Sequence, residues 1–341
     1  MPSSAHSDAV GAAARRLLNC EPTTVVPIRG GGNNRLYRIE DGNGHPFALK
    51  SYPRLADDPR DRLDTEFTAL SFLAPHGLAV PKALAAWPEG GFALYSWIEG
   101  AAPGAVRPND INAAIAFAAN LHRLAERPES KMLPLASEAC LSAEEILRQI
   151  KGRQTRLAES AALFPALSAF LSDDFRPTLN QATQRARQGY DRQGWSFDAP
   201  IPHRCRTLSP SDFGFHNAIR RPDGSLAFVD FEYFGWDDPV RLAADFLQHP
   251  AMVLTAEQAT QWRRGIAALY GADHAFQHRL SLLYSLVGLR WCMILLNEFL
   301  PDRWLRRQFA GAEATAAETQ ARQLIKAQAR LTAVRAALNQ D

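Results

Sequence analysis

Two short acidic clusters stand eighteen positions apart in the 341-residue sequence, and their residue types suit one kind of chemistry. Asp212 is followed five positions later by Asn217, and Asp230 ends an apolar run that begins at Leu226. In phosphoryl transfer from ATP, one carboxylate orients a substrate hydroxyl and accepts its proton. An Asn and a second Asp hold the magnesium ions that bridge the phosphates. We therefore predict Asp212 as the base, and Asn217 and Asp230 as the metal ligands.

A second assignment of the first cluster is possible, because Asp212-Phe213-Gly214 spells the metal-binding motif of protein kinases. That role would require an Asp and an Asn five positions apart shortly upstream. Ser196 stands five positions after Asp191, and His203 stands five positions after Asp198. The upstream pair is therefore missing, which favours Asp212 as the catalytic carboxylate.

A lysine in an early strand and a glutamate in the next helix extend this set. Lys50 ends the apolar run Phe47–Lys50, where a charge needs a partner or a ligand. We predict that it contacts the α- and β-phosphates and that Glu66 holds its ammonium group. The alternatives are a strand-edge lysine with its amine in water, or another acidic partner such as Glu40, Asp61 or Asp64.

Taken singly, each of these residues also has an ordinary structural interpretation. Asp212 would suit a turn or a helix cap, and Asp230 would suit the end of a strand. The appearance of the whole set in the expected order is what favours the chemical interpretation.

A glycine-rich turn precedes Lys50. Gly30, Gly31, Gly32 and Asn33 lie between two predicted strands, where glycines let backbone N–H groups approach phosphates without a Cβ clash. The segment is not Gly-x-Gly-x-x-Gly, because Arg35 stands at the third glycine position. We predict a phosphate-covering loop, with a plain hairpin turn as the alternative.

The second cluster and its surroundings resemble a known family. Phe228-Val229-Asp230-Phe231-Glu232-Tyr233 and then Gly235-Trp236-Asp237-Asp238-Pro239 resemble the metal-binding segment of bacterial choline kinase-like proteins. Leu121-His122-Arg123-Leu124 resembles the helix end that precedes the substrate region in that family. From about residue 25 to about residue 300, the chain resembles the aminoglycoside phosphotransferase and choline kinase family. The resemblance implies a protein-kinase-like fold, ATP and Mg²⁺ as cofactors, and a small-molecule hydroxyl substrate.

The chain departs from this family at two positions. Pro210 stands where family members usually carry a His two residues before the catalytic Asp. Leu242 stands where an Asp is expected after the Asp-Pro pair, and Asp245 comes three residues later.

The order of predicted elements indicates an α+β protein with two lobes. Strand patterns separated by Gly- and Asn-rich turns, with one inserted helix over Pro59–Leu73, fill the first part of the chain, and helical patterns fill the rest. We predict a nucleotide-binding lobe over residues 1–98 and a catalytic and substrate-binding lobe over residues 99–341. In a kinase-like fold, Ser96, Trp97 and Ile98 in the connector would line the adenine slot. The Ala- and Gln-rich helix over Ala312–Leu338 is predicted as a loosely packed appendage.

Composition excludes several classes of function. A net charge of +2 with 22% charged residues does not indicate a nucleic-acid or acidic-membrane partner. The four cysteines are scattered, which argues against a disulfide framework and favours a reducing cytoplasm. The apolar stretch Leu280–Leu300 contains Arg290, Asn297 and Glu298, and it predicts a buried helix rather than a membrane span.

The residues that follow Asp230 leave the substrate open. An acidic and aromatic set could receive a cationic substrate through cation–π contacts and charge pairing: Glu232, Tyr233, Trp236, Asp237 and Asp238. Equally, Trp236 could belong to the core and Asp238 could cap a helix whose first residue is Pro239.

Two other classes of protein compete with a small-molecule kinase. A catalytically silent pseudokinase that binds a nucleotide or a partner would keep the fold, although retaining Lys50, Asp212, Asn217 and Asp230 would then be hard to explain. A metal-dependent hydrolase built on the acidic cluster Asp230, Asp237 and Asp238 would need neither Lys50 nor the glycine-rich turn. A protein kinase is a lesser variant, since no Ala-Pro-Glu segment follows Asp230.

Overall fold

The computed structural model describes residues 4–28, 34–53, 60–301 and 315–340. Its N-terminal lobe contains a five-stranded antiparallel sheet in the order β1-β2-β3-β5-β4. The strands are β1 (Thr24–Ile28), β2 (Arg35–Glu40), β3 (Pro46–Ser51), β4 (Ala83–Trp87) and β5 (Phe92–Ser96). Helix α1 (Ser4–Leu18) precedes the sheet, and helix α2 (Arg62–Leu73) lies between β3 and β4.

The two faces of this sheet have different coverings, and this difference orients Lys50. Buried Val10 and Ala13 of α1 join Ile39 and Leu49 in one apolar cluster on the outer face. Because side chains alternate along a strand, Lys50 must point to the opposite face. That face is turned toward α2 and the second lobe.

The C-terminal lobe is mainly helical. Its helices are α3 (Pro108–Ala125), α4 (Ala143–Ala161), α5 (Pro165–Ala169), α6 (Arg176–Arg192), α7 (Pro239–Gln248), α8 (Ala256–Leu269), α9 (Phe276–Leu295) and α10 (Ala316–Gln340). Four short strands form two antiparallel pairs, β6 (Thr207–Ser209) with β9 (Gly235–Asp237) and β7 (Ala218–Arg220) with β8 (Leu226–Phe228). These pairs place the loop from Pro210 to Asn217 beside the segment that begins at Val229. The predicted α+β architecture, with a small sheet lobe and a larger helical lobe, is confirmed.

The connector between the lobes is held against β7. Ala101 and Arg220 exchange backbone hydrogen bonds, with N···O distances of 3.1 and 2.8 Å. Gly100 has a φ of +145°, and a Cβ at this position would lie 2.1 Å from the Arg220 carbonyl oxygen. Only glycine allows this close approach. The contact therefore fixes the connector directly above Ile219.

Two parts of the helical lobe differ from the sequence prediction. No individual helix is assigned from the sequence between residues 158 and 205, yet α5, a π turn over Phe170–Phe175 and α6 form a continuous helical run there. The buried residues of α6 form only a narrow stripe among many polar residues, so its helical pattern is hard to recognise in the sequence. The prediction of a loosely packed C-terminal appendage is wrong, because Ala327, Leu331 and Val334 are buried against the core.

Helix α9 and the turn after it are long and apolar enough to cross a membrane by composition alone. Within Phe276–Phe299, 61% of the most apolar window is buried inside the protein. This burial agrees with the predicted core helix.

The aromatic ring of Phe213 is part of the core below the loop that carries Asp212. Its side chain is buried, and its ring centroid lies 5.5 Å from Phe117, 4.9 Å from Phe228 and 5.6 Å from Phe246. Phe213 therefore anchors the loop that carries its neighbour Asp212.

Truncating this anchor should destabilise the fold. We expect Phe213→Ala to lower the free energy of unfolding by about 3–5 kcal/mol, because it leaves a cavity among aromatic rings. Urea denaturation followed by circular dichroism measures the change. Leu163→Ala is the matched control, since Leu163 is 79% exposed and its truncation should change stability by less than about 0.5 kcal/mol. Equal losses in the two variants would contradict the assignment of Phe213 to the core.

Candidate active site

A three-residue ion pair network joins the two lobes. The Nζ atom of Lys50 lies 2.8 Å from both carboxylate oxygens of Glu66 and 2.8 Å from Oδ1 of Asp230. The backbone N–H of Phe231 also donates to Glu66 across 3.3 Å. Lys50 thus connects the sheet, helix α2 and the segment after β8.

The other acidic residues considered as partners of Lys50 have different roles. Glu40 pairs with Arg38 at 2.6 Å, and Asp61 caps helix α2 by accepting a hydrogen bond from the Asp64 N–H. The structure therefore brings Lys50 together with Glu66, as expected from the sequence.

Burial and the charges of neighbouring residues shift the pKa values of Lys50 and Glu66. Burial alone would lower the pKa of Lys50, but the carboxylates of Asp230 and Glu66 outweigh it and raise the pKa. Burial likewise raises the pKa of Glu66, and the charge of Lys50 opposes that rise. A lysine held fully charged in this position suits contact with phosphate oxygens.

Two tyrosines hold the far side of Glu66. The hydroxyl of Tyr52 donates to Glu66 at 2.7 Å and lies 2.8 Å from the hydroxyl of Tyr95. Both side chains are buried, and burial raises the pKa of each phenol. These tyrosines fix the orientation of Glu66, and sequence reasoning did not identify them.

The loop after β6 presents Asp212 in a tight conformation. Ser211 has a φ of +66°, an uncommon value for a non-glycine residue that often marks a functional site. The side chain of Asp212 is about one-third exposed and lies against two imidazoles. Its Oδ1 is 2.9 Å from Nε2 of His216 and 3.4 Å from Nε2 of His249.

The two imidazoles are stacked. Their ring centroids are 3.8 Å apart, with an interplanar angle of 4°. Burial would raise the pKa of Asp212, but the hydrogen bond and charge of His216 lower it, so the carboxylate stays ionised at neutral pH. Burial, together with His216, lowers the pKa of His249 to about 4.

Both histidines lie beside the loop that carries Asp212, in a chain that has Pro210 at the position where the family usually has a His. Sequence reasoning gave His216 no role and did not identify His249. The ligand atoms of Asp212, His216 and His249 all lie within 4.8 Å of one another, so this set is also able to hold a transition-metal ion.

The oxygen atoms of Asn217 and Asp230 fit the preferences of magnesium. The amide nitrogen of Asn217 donates to the carbonyl oxygen of Asp212 at 2.9 Å, which leaves Oδ1 as the available ligand atom. The Asn217 carbonyl accepts the Val229 N–H at 2.9 Å, and this bond ties the loop to the strand that ends before Asp230. Asp230 has a φ of +68° and a side chain about one-third exposed. Magnesium takes such carboxylate and amide oxygens while keeping several waters.

The predicted phosphate loop, Gly30, Gly31, Gly32 and Asn33, lies outside the described residues. The next residue, Asn34, is buried and donates from Nδ2 to Glu232 at 3.1 Å. Asn34 therefore lies against the segment that carries Asp230.

The connector residues Ser96, Trp97 and Ile98 line a cavity of about 520 Å³ together with Lys82 and the turn between β7 and β8. The Ser96 N–H donates to the Lys82 carbonyl at 2.9 Å, so it is already engaged. Trp97 and Ile98 directly follow the last residue of β5. Trp97 lies near the inner face of the sheet, with the guanidinium of Arg38 5.6 Å from its ring centroid.

The acidic residues after Tyr233 are buried and paired. Asp237 binds Arg241, while Asp238 caps helix α7 and binds Arg279. Trp236 is buried and donates from Nε1 to the Ser130 carbonyl. Of the two interpretations of this set, the core and cap roles of Trp236 and Asp238 are therefore the ones observed.

Glu232 lies at the edge of the site, enclosed between the lobes. Burial and the nearby charge of Asp230 raise the pKa of Glu232 to about 7, although Arg62, 3.6 Å away, opposes the rise.

Comparison with known proteins identifies the family to which the chain belongs. Residues 24–283 match the model of the phosphotransferase enzyme family. The chain belongs to this family. No curated protein sequence matches the chain at a significant level.

Solved structures show the same fold at low sequence identity. The choline kinase of Streptococcus pneumoniae is 15% identical with a TM-score of 0.62, and the alignment covers 97% of this chain and 100% of that one. An amicoumacin kinase in complex with AMP-PNP, Ca²⁺ and amicoumacin is 16% identical with a TM-score of 0.58, covering 97% and 96%. A gentamicin complex of an aminoglycoside phosphotransferase is 14% identical with a TM-score of 0.59, covering 95% of each chain.

Proposed function

We propose that the protein is an ATP-dependent kinase that transfers the γ-phosphate to a hydroxyl group of a small molecule such as a sugar, amino sugar, amino alcohol or aminoglycoside. The observation that carries the proposal is the contact of Lys50 with both Glu66 and Asp230 across the two lobes. A hydrolase built on the acidic cluster would not need this contact. Family membership supports the same class of reaction.

Each residue has a distinct role in this proposal. Lys50 orients the α- and β-phosphates, and Glu66 holds its ammonium group in place. Asn217 and Asp230 would hold Mg²⁺, which supplies charge neutralisation for the β- and γ-phosphate oxygens. Asp212 accepts a hydrogen bond from the substrate hydroxyl and points its oxygen at the γ-phosphorus.

The proposed phosphoryl transfer is a single displacement at the γ-phosphorus. The hydroxyl oxygen forms a bond to the γ-phosphorus as the bond from that phosphorus to the β,γ-bridging oxygen breaks. The hydroxyl proton passes to Asp212, and ADP leaves. Because the transition state is loose, orientation of the hydroxyl contributes more than early proton removal.

The nucleotide would lie between the lobe of residues 1–98 and the lobe of residues 99–341. Gly30, Gly31, Gly32 and Asn33 would cover the phosphates. Trp97 and Ile98 would offer backbone groups to the adenine, since the N–H of Ser96 already binds Lys82. Ile219, directly below the connector, would form the apolar floor.

A nucleotide-binding pseudokinase is the second candidate. The observation in its favour is Pro210, which removes the usual family His from the catalytic loop. The contacts of His216 and His249 with Asp212 count against it, because they provide other support for the carboxylate.

Measurement of ADP formation from Mg-ATP separates the two candidates. A panel of sugars, amino sugars, amino alcohols, aminoglycosides, sugar acids, hydroxy acids and sugar phosphates should include at least one acceptor that stimulates ADP release by the wild type and not by Asp212→Asn. Tight Mg-ATP binding without turnover on any acceptor would favour the pseudokinase. Equal ADP release with and without acceptor in both proteins would contradict the kinase proposal.

A further inference from the structure

The cavity beside Asp212 has an unusual wall. Its volume is about 270 Å³, near the lower limit of the range of about 300–1,000 Å³ for small-molecule sites, so it suits a single-ring molecule. Besides Asp212, its charged lining consists of four arginines and two carboxylates: Arg60, Arg153, Arg241, Arg290, Glu138 and Asp245. The part of the cavity away from the base is therefore rich in guanidinium groups.

Both carboxylates of this wall are already paired with arginine. Glu138 binds Nη2 of Arg153 at 2.5 Å and Nη2 of Arg290 at 2.8 Å. The Asp245 carboxylate binds Nε of Arg241 at 3.0 Å and Nε1 of Trp291 at 2.8 Å. A cationic substrate would have to displace one of these partners, which would leave a guanidinium without its counter-ion.

Glu138 itself is shared and held in place. Its φ of +57° is an uncommon backbone value, and two arginines bind one carboxylate. Burial would raise the pKa of Glu138, but the charges of Arg153 and Arg290 outweigh it and lower the pKa to about 2. The carboxylate of Glu138 therefore stays ionised and bound to both arginines, and it is not free to pair with an ammonium group.

One aromatic ring of the cavity wall, that of Tyr233, is also occupied. The guanidinium groups of Arg60 and Arg62 lie 5.5 and 5.6 Å from the centroid of the Tyr233 ring. Recognition of an ammonium ligand uses such ring faces. At Tyr233 the positions near the ring are already filled by cations of the protein itself.

We propose that the acceptor carries an anionic group, a carboxylate or a phosphate ester, which binds Arg153 and Arg290 while one of its hydroxyls reaches Asp212. This inference rests on the proposed small-molecule kinase activity and defines the substrate class of that site. The planar fork of a guanidinium matches the oxygens of both anions. The acceptor class is thus a small sugar acid, hydroxy acid or sugar phosphate rather than an amine.

Four compounds with one ring skeleton test the charge preference: D-glucose, D-glucuronate, D-glucose 6-phosphate and D-glucosamine. The full-length protein is first saturated with Mg-AMP-PNP, so that the nucleotide site cannot bind the anions. Calorimetry should show that glucuronate or glucose 6-phosphate binds at least about tenfold tighter than glucosamine. The preference should weaken as salt increases. Glucosamine binding as tightly as both acids, or no binding of either acid, would overturn the inference.

A charge-removing variant with a matched control locates the anion site. Arg153→Gln should weaken binding of the preferred acid at least about tenfold and leave glucose binding unchanged, and Arg153→Lys should recover part of the loss. Arg148→Gln is the control, because Arg148 lies on the same helix α4 in an exposed pair with Glu145. Equal weakening for glucose and the acid would indicate a structural role and overturn the assignment.

The nucleotide titration separates this inference from the proposed function. If the wild type fails to bind Mg-AMP-PNP, both the kinase proposal and this inference fail. If Mg-AMP-PNP binds and the acids are not preferred, the inference alone fails.

Discussion

Asp212→Asn should lower kcat by roughly 10²–10⁴-fold, the usual contribution of a positioned general base. The substitution keeps the shape of the side chain and removes its charge and its capacity to accept a proton. Nucleotide affinity should stay nearly unchanged, because Asp212 is not assigned to the metal or to the phosphates. Steady-state kinetics on an identified acceptor and calorimetric titration with Mg-ATP measure the two quantities.

The control for Asp212→Asn is the same substitution at an exposed position. Asp191 is exposed at the end of helix α6, so Asp191→Asn should change neither kcat nor thermal stability. An Asp212→Asn variant that folds, binds Mg-ATP and keeps near-wild-type kcat would show that the carboxylate is not the base.

The contact between Lys50 and Glu66 could be predicted from sequence because its determinants are local. A charge at the end of an apolar strand needs a counter-charge, and α2 is the next element along the chain. Helical spacing places buried Glu66 on the face of α2 that packs on the sheet. The contact of Lys50 with Asp230 joins residues 180 positions apart. It could therefore be predicted only by matching the chain to the kinase pattern.

The surroundings of Asp212 could not be predicted in the same way. His249 ends helix α7, and its place beside Asp212 depends on how that helix packs against β6 and α9. Arg153 and Arg290 belong to different helices, α4 and α9, which pack against each other, and both arginines bind Glu138. No local pattern indicates which of the many arginines in a helical lobe will meet, so the arginine-rich lining of the cavity beside Asp212 became visible only in the fold.

Sequence reasoning was also limited at the connector. The composition of Ser96, Trp97 and Ile98 is the same whether the segment binds adenine or only links two lobes. The engagement of the Ser96 N–H by Lys82 depends on the pairing of the chain beside β4 and β5, which a linear pattern does not reveal.

Asp230→Ala should abolish the magnesium dependence of ATP affinity. In the wild type, the Asp230 carboxylate repels the phosphates of free ATP and attracts them when Mg²⁺ lies between. Removing a ligand should weaken metal binding by at least about 100-fold, the upper end of what loss of a supporting partner costs. Affinity for metal-free ATP should hold or rise, since a negative charge is removed. Calorimetric titrations with ATP, each done with Mg²⁺ and with EDTA, give the ratio of the two dissociation constants.

The fold should survive Asp230→Ala, because Lys50 keeps its two contacts with Glu66 at 2.8 Å. Asp198→Ala is the matched control, since Asp198 is an exposed loop aspartate. Its ratio of dissociation constants should equal that of the wild type. If the wild type had equal ATP affinity in Mg²⁺ and in EDTA, the assignment of Asp230 to the metal site would be contradicted. If the ratio were large in the wild type and unchanged in Asp230→Ala, the metal would have to be held by other groups, with the nearby carboxylate of Glu232 the first to test.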